Sequence, residues 1–240
     1  MTRYAGVAGG YGDPGIQAVA AKAADLIADG ARVGLGSGRA ASLFIAKLGQ
    51  RRREGLRVSG VPTSRASARK ARRAGIPLIA LEAGIRLDIT IDGADEVAPN
   101  LDLMKGWGGA VVRERIVAAA SRCIVILAGE EKLVRRLGER GPLPVEVIPF
   151  AQGFATTQLR ALGLIPAIRM NRLGTRPFLS DNGNLTLDCT LPEPIRGGRA
   201  ARALERAIRS IAGVVDTGLF LGTVDRVLVG HPDGRIDIFP

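Results

Sequence analysis

Along the first half of the chain, short apolar runs of strand length alternate with stretches of helical periodicity, and each change of period falls on a glycine or a polar turn. Arg32-Val33-Gly34-Leu35 reads as a strand, Gly36-Ser37-Gly38 as a turn, and Ala40 to Leu48 as a helix. The unit recurs. Arg57 to Val61 is a strand, Ser64 to Ala74 a helix ended by Gly75, and Ile76 to Leu81 the next strand. Asp88 to Ile91 then reads as a short strand, Val111 to Ala120 as a helix and Cys123 to Leu127 as a buried strand, while Ile16 to Ala28 is a helix ahead of them all. Strands this uniformly apolar belong to sheets buried on both faces, so the pattern predicts an α/β fold: an open, mostly parallel, Rossmann-like sheet with helices on both faces.

The second half changes character. Pro142, Pro144 and Pro149 punctuate its entry, and Phe154 to Leu162 reads as a helix. Asn182-Gly183 sits between the strand-like runs Phe178-Leu179 and Leu185 to Asp188, a strong hairpin signal. A helix from Arg199 to Ile211 has Leu204, Ile208 and Ile211 on one face and leads into strands at Val214-Val215 and Leu219 to Leu221. This predicts a smaller α+β (ferredoxin-like) domain over residues 141–221. The α/β catalytic domain then spans 1–140 and 222–240, with Val227 to Val229 and Ile236 to Ile238 returning to the first sheet.

Composition closes off several classes of function. No apolar run approaches the roughly 18 residues of a membrane span, and Met1 to Gly10 lacks a signal-type apolar block, so a cytoplasmic protein without membrane contact is expected. Cys123 and Cys189 are far apart and His231 is the one histidine, which excludes a cysteine/histidine zinc finger and argues against a disulfide framework. A Ser-His-Asp triad would have to take its base from His231, in the turn-like Gly230 to Gly234. The net charge of +11 invites a nucleic-acid partner, but the arginines are scattered and aromatic residues make up 4% of the chain. An arginine-rich solvated surface is the better reading, with no nucleic-acid partner and a field that favours small anionic substrates.

In open α/β sheets ligands bind beyond the carboxyl ends of the strands, so the loops there are the candidate sites. Gly34-Leu35-Gly36-Ser37-Gly38-Arg39 could cradle an anion at a helix N-terminus, although a plain tight turn fits the same residues. Asp92-Gly93-Ala94-Asp95-Glu96 puts three carboxylates at the end of a strand. Like charges so close raise one another's pKa, which calls for a compensating cation or a function; the alternative is an Asx-turn with solvated acids. The spacing is not that of a calcium loop. Lys105-Gly106-Trp107-Gly108-Gly109, followed by a helix bearing Glu114, would supply a cation, backbone donors and a carboxylate base. Alternatively, Lys105 lies in a flexible loop and Glu114 is an exposed first-turn residue, favourable beside the helix dipole.

Taken together, these loops resemble the ribose-5-phosphate isomerases of type A. The likeness runs in order through Gly34 to Gly38, Pro62-Thr63-Ser64, Asp92 to Glu96, Lys105 to Gly109, Arg113-Glu114, Leu143 to Pro149, Asp181 to Asn184 and Gly218 to Phe220. It implies an aldose–ketose isomerase, free of metal and cofactor, that interconverts ribose 5-phosphate and ribulose 5-phosphate through an enediolate. By similarity Glu114 is the base, Lys105 stabilises the developing oxyanion, and Asp92 and Asp95 contact sugar hydroxyls and assist ring opening. The substrate-binding set implied is Ser37, Gly38, Arg39, Gly93, Ala94, Gly106, Gly108 and Lys132, with Lys132 on the phosphate. A homodimer or homotetramer is also implied.

The chain departs from the family pattern at four places. Arg39 and Ala40 stand where the first loop commonly carries hydroxyl residues, Trp107 stands for a glycine, and Gly129 for an aspartate three residues before the phosphate lysine. Arginine is itself a good phosphate ligand. An isomerase of a related aldose or aldose phosphate, and a non-catalytic sugar-phosphate-binding regulator, are the competing readings; a retained Asp92, Asp95, Lys105 and Glu114 set speaks against the regulator.

Overall fold

A computed structural model of the chain describes residues 13–240; the stretch Met1 to Gly10, expected to carry no signal-type block, lies outside the described residues. In chain order the elements begin α1 (Pro14–Asp25), β1 (Ala31–Leu35), α2 (Gly38–Arg53), β2 (Val58–Pro62), α3 (Arg65–Arg73) and β3 (Ile89–Gly93). The short β4 (Glu96–Val97) and β5 (Leu103–Met104) precede α4 (Val111–Ala119), β6 (Ile124–Gly129) and β7 (Leu143–Val147). The chain continues with α5 (Gln152–Ala161), β8 (Ile165–Ile168), β9 (Leu185–Thr190) and α6 (Gly197–Arg209). It ends with β10 (Val214–Thr217), β11 (Leu219–Phe220), β12 (Arg226–Gly230) and β13 (Ile236–Phe239). The fold divides into two compact units, one made of residues up to Ala94, Arg113–Lys132 and Thr223–Pro240, the other of Asp95–Val112 and Leu133–Gly222.

The first unit is built on a six-stranded sheet of order β13-β12-β6-β3-β1-β2. All neighbours pair in parallel except β13, which closes one edge antiparallel to β12. The two-residue period of the strands sorts their side chains. Val33, Leu35 and Ile91 join Ile16, Val19 and Ala23 of α1 and Phe44 and Leu48 of α2 in the main core, while Val61 gathers with Leu87 and with Val117 of α4. Asp13 starts α1 by accepting from the N–H groups of Gly15 (2.9 Å) and Ile16 (3.2 Å), with Pro14 in the first turn where its missing N–H costs nothing. The strand expected over Ile76 to Leu81 contracts to a single bridge between Leu78 and Gly60. Pro77 has no N–H to extend a ladder, so this segment offers β2 only the Pro77 carbonyl and the Ile79 N–H.

The second unit holds an antiparallel sheet of order β10-β7-β9-β8 and a three-stranded sheet of order β11-β5-β4. Leu143, Val145 and Val147 of β7, Leu187 of β9, Leu159 of α5 and Ile208 of α6 form its core. The Asn182-Gly183 turn closes as expected, with the Ser180 N–H bonded to the Asn184 carbonyl at 2.9 Å. The hairpin around it is reduced to one bridge, Leu179 to Leu185, and Ser180, Asn182 and Asn184 all turn their side chains to Oε1 of the buried Glu146. Both cysteines are free, and burial, with the Asp188 charge second, pushes the Cys189 thiol up to about 12. Among the described residues no helix is long and apolar enough to cross a membrane.

Candidate active site

In the first unit the parallel strands deliver their loops to one edge of the sheet. β1 leads outward to β2, whereas β3, its other neighbour, leads to β6, so the chain changes direction between β1 and β3. This is the topological switch point, where α/β sheets open a crevice for ligands. Ser37, just after β1, and Asp92, near the end of β3, meet here: Asp92 Oδ1 accepts from the N–H groups of Ser37 (2.9 Å) and Gly93 (2.8 Å). Gly36 makes the approach possible, since a Cβ on it would lie 2.2 Å from Asp92 Oδ1. Gly93 and Ala94 follow Asp92 on half-buried backbone.

Ser37 also exposes a set of residues that the motif reading missed as a group. Its hydroxyl lies 2.8 Å from Thr63 Oγ1, 3.0 Å from Ser64 Oγ and 3.3 Å from Ser67 Oγ. Ser64 caps α3 by accepting the Ser67 N–H at 3.0 Å. Pro62-Thr63-Ser64 after a strand was the available signal, because a hydroxyl residue before a helical run marks an N-cap. With its hydroxyl engaged, Ser37 forms no side-chain cap on α2, whose first turn, Gly38 and Arg39 included, opens at the same sheet edge. The N-terminal N–H groups of a helix of this length favour an anion.

Arg39, of unassigned partner in the sequence, has Nη2 3.5 Å from Glu131 Oε1. Glu131 lies beside Lys132 in a 3-10 turn, Glu130–Lys132, that follows β6. Gly129 accommodates the same carboxylate, for a Cβ there would be 2.0 Å from Glu131 Oε2. Two departures from the family pattern, Arg39 and Gly129, thus converge on one glutamate. Glu114, in the first turn of α4, is 5% exposed, which rules out the solvated first-turn reading.

In the second unit Lys105 is 4% exposed, with Nζ 5.5 Å from the centroid of the Phe220 ring. It is therefore not a lysine on a flexible loop: its N–H bonds to the Gly218 carbonyl at 2.9 Å, and the loop closes by a Gly109 N–H bond to the Gly106 carbonyl at 3.0 Å. Gly106 is buried and Gly108 exposed. Asp95, half-buried, accepts the Trp107 N–H on Oδ2 at 2.8 Å. The Trp107 indole donates to the Pro142 carbonyl at 2.9 Å and covers Gly141, so its bulk packs within the second unit's own framework.

Each of the three neighbouring carboxylates accepts at least one backbone N–H. Glu96, wholly buried, accepts from the N–H groups of Gly138 and Arg140, the latter at 2.6 Å; burial still holds its carboxyl above the usual range. Its place is structural, tying the loop around Gly138 to β4. His231 has its ring between Glu130 Oε2 (2.7 Å from Nδ1) and Asp237 Oδ2 (2.8 Å from Nε2), an ion-pair arrangement with no serine in it. Among the described residues no three His, Cys, Asp or Glu side chains are grouped to hold a metal ion.

The first unit holds a buried carboxylate, Asp92, at its switch point and a second, Glu114, on α4, and the second unit holds a buried lysine on a glycine-rich loop. These are the residue types of an enzyme that transfers protons by carboxylate on an anionic substrate. The family model described as "Ribose 5-phosphate isomerase A (phosphoriboisomerase A)" matches residues 59–234. Ribose-5-phosphate isomerase A of Deinococcus radiodurans is 47% identical over 211 residues, covering 87% of this chain and 90% of that protein. The Ruegeria pomeroyi protein of the same name is 49% identical over 231 residues, 92% of this chain and 85% of the other. The structure of ribose 5-phosphate isomerase A from Methanocaldococcus jannaschii superposes with a TM-score of 0.87 at 40% identity, covering 93% of this chain and 97% of that one. A D-ribose-5-phosphate isomerase in complex with phospho-erythronic acid superposes with a TM-score of 0.86 at 34% identity, over 93% and 97% of the two chains. The chain belongs to the ribose 5-phosphate isomerase A family. It is accordingly an aldose–ketose isomerase, with the ribose-5-phosphate isomerase activity of the pentose phosphate pathway.

Proposed function

We propose that this chain interconverts ribose 5-phosphate and ribulose 5-phosphate through an enediolate, with Glu114 carrying the proton between C2 and C1. The observation that supports this most directly is the burial of the Glu114 carboxylate, which shields a base from water and suits a group that must both take and return a proton. Charge then develops on the carbonyl oxygen. Lys105 and the N–H groups of Gly106 and Gly108 stabilise it, the electrostatic contribution that is commonly the largest in such reactions. Asp92 and Asp95, each oriented by a backbone N–H, contact the sugar hydroxyls and assist ring opening; Gly93 and Ala94 hold the sugar through their backbone.

The phosphate is assigned to the first turn of α2, with Ser37, Gly38 and Arg39, and to Lys132. Binding of phospho-erythronic acid by a relative supports a ligand with a phosphate and a short hydroxylated chain. The Glu131 carboxylate beside Arg39 tempers the positive charge there, which favours one phosphate group over more highly charged ligands. A cytoplasmic homodimer or homotetramer accompanies this reading. The second unit exposes Phe150 at 99% and Phe154 at 54% on adjoining turns, apolar surface of the kind that subunits cover.

Steady-state conversion of ribose 5-phosphate by the purified protein, with EDTA present throughout, tests the proposal. Sustained turnover is expected. Turnover of another aldose phosphate in preference to ribose 5-phosphate would overturn the substrate assignment.

A further inference from the structure

Arg169 follows β8 and is nearly buried, as is Asp188 on β9, whose carboxylate it grips with Nε (2.9 Å to Oδ2) and Nη2 (to Oδ1). This two-point grip fixes the plane of the guanidinium. The remaining nitrogen, Nη1, donates to two successive carbonyls of the lysine loop, Gly106 at 2.9 Å and Trp107 at 3.1 Å. The guanidinium carbon lies 6.0 Å from the centroid of the Phe178 ring, and that ring packs against Gly109, where a Cβ would come within 2.4 Å of it. One arginine therefore holds the loop from beneath.

The consequence follows from peptide planarity, because in a trans peptide the N–H points opposite to the C=O. The Gly106–Trp107 peptide is pinned on both sides, its carbonyl by Arg169 and its N–H by Asp95. The Trp107–Gly108 peptide has its carbonyl on Arg169, which turns the Gly108 N–H to the opposite side. Gly108 itself is exposed, and nothing lies within 4 Å of a Cβ built on it, so the chain there is not covered by a neighbouring side chain.

We propose that Arg169, backed by Asp188, is a positioning residue for the isomerisation: it pins the Gly106 and Trp107 carbonyls so that the loop presents Lys105 and the Gly108 N–H to the reacting oxygens. This rests on the role given above to the lysine loop. It predicts an effect on the transition state rather than on substrate binding, since displacing preorganised donors lowers kcat while leaving phosphate contacts in place.

Arg169→Lys is the first variant, because it keeps the charge beside Asp188 but cannot span the carboxylate and both carbonyls. Its kcat is expected to fall roughly tenfold to a hundredfold, the scale of a small misplacement of donors, with KM within about twofold of wild type. The paired variant Arg169→Met with Asp188→Leu removes both charges, so that no buried carboxylate is left unpaired, and the same fall in kcat is expected. In Arg169→Ala, added guanidinium at millimolar concentration should restore part of kcat with KM unchanged. Protection of Cys189 from thiol reagents reports that the second unit retains its packing in each variant. Wild-type kcat in Arg169→Lys and in the paired variant, or a rise in KM at constant kcat, would overturn the proposal. Lys105→Ala run beside them separates the two levels. If it turns over like wild type, the role of the loop itself is wrong; if it is inactive while the Arg169 variants are fully active, only the positioning role fails.

Discussion

Arg39 Nη2 lies 3.5 Å from Glu131 Oε1, joining the first turn of α2 to the turn that carries Lys132. Both side chains are part-buried, so this pair is screened less than a surface ion pair. If the phosphate binds here, Glu131 competes with it for Arg39. Glu131→Gln is expected to lower KM for ribose 5-phosphate about two- to fivefold, matching the 0.5–1 kcal/mol typical of such a pair, with kcat unchanged. Steady-state kinetics at low salt decide the matter; a higher KM would mean that Glu131 orients Arg39 productively instead of diverting it.

Glu114→Gln preserves the shape of the side chain and removes the base. Its kcat should drop by about a hundredfold or more, the usual contribution of a positioned general base, while KM stays within about threefold. Unchanged circular dichroism would show that the fold is intact. Turnover close to wild type would remove Glu114 from the mechanism.

His231 provides a pH test of stability. The hydrogen bond to Glu130, and then that to Asp237, raise its pKa above the ordinary value, with Arg235 and partial burial opposing. The folded state therefore binds the proton more tightly than the unfolded chain does. This stabilisation is complete below the unfolded pKa near 6.5 and fades as pH rises through the higher folded value. In thermal melts from about pH 6 to pH 9, wild type should lose Tm relative to His231→Gln, and the gap between the two should narrow steadily. A gap that is constant across the range would show that the protonated ring contributes nothing.

Glu96 tests whether a motif carboxylate can be purely structural. Glu96→Ala leaves the Gly138 and Arg140 N–H groups without their acceptor in a buried place. A loss of about 3 kcal/mol in urea unfolding is expected, with Glu96→Gln costing less because its amide oxygen still accepts. Stability of the alanine variant within about 0.5 kcal/mol of wild type would show that the loop finds other partners.

Much of this was legible beforehand, and the limits have physical causes. Strand and helix positions followed from periodicity, since burial on one face imposes a repeat of two or of about 3.6 residues. Not all did: β4, β5 and β8 gave no strand signal, while Ile76 to Leu81 carried the apolar pattern of a strand but also Pro77, and a missing N–H outweighed the pattern. The Asn182-Gly183 turn was legible, but the bonds that Ser180 and Asn184 make to Glu146 were not, since they span 34 and 38 residues. Arg169 gave no motif signal, as its contacts to Gly106 and to Asp188 span 63 and 19 residues.

By itself, the sequence determined the parallel α/β architecture, the loops where chemistry resides, and the residue types that suit proton transfer on a sugar phosphate. These depend on local period, turn chemistry and ordered motifs, all of which a linear chain displays. Only the tertiary structure decided that Glu114 and Lys105 are buried, that Arg39 faces Glu131, that Asp92 rests on the Ser37 N–H and that Glu96 is a structural tie. Desolvation and hydrogen bonding act between groups brought together by the sheet order, and that order is set by long-range packing that no local pattern encodes.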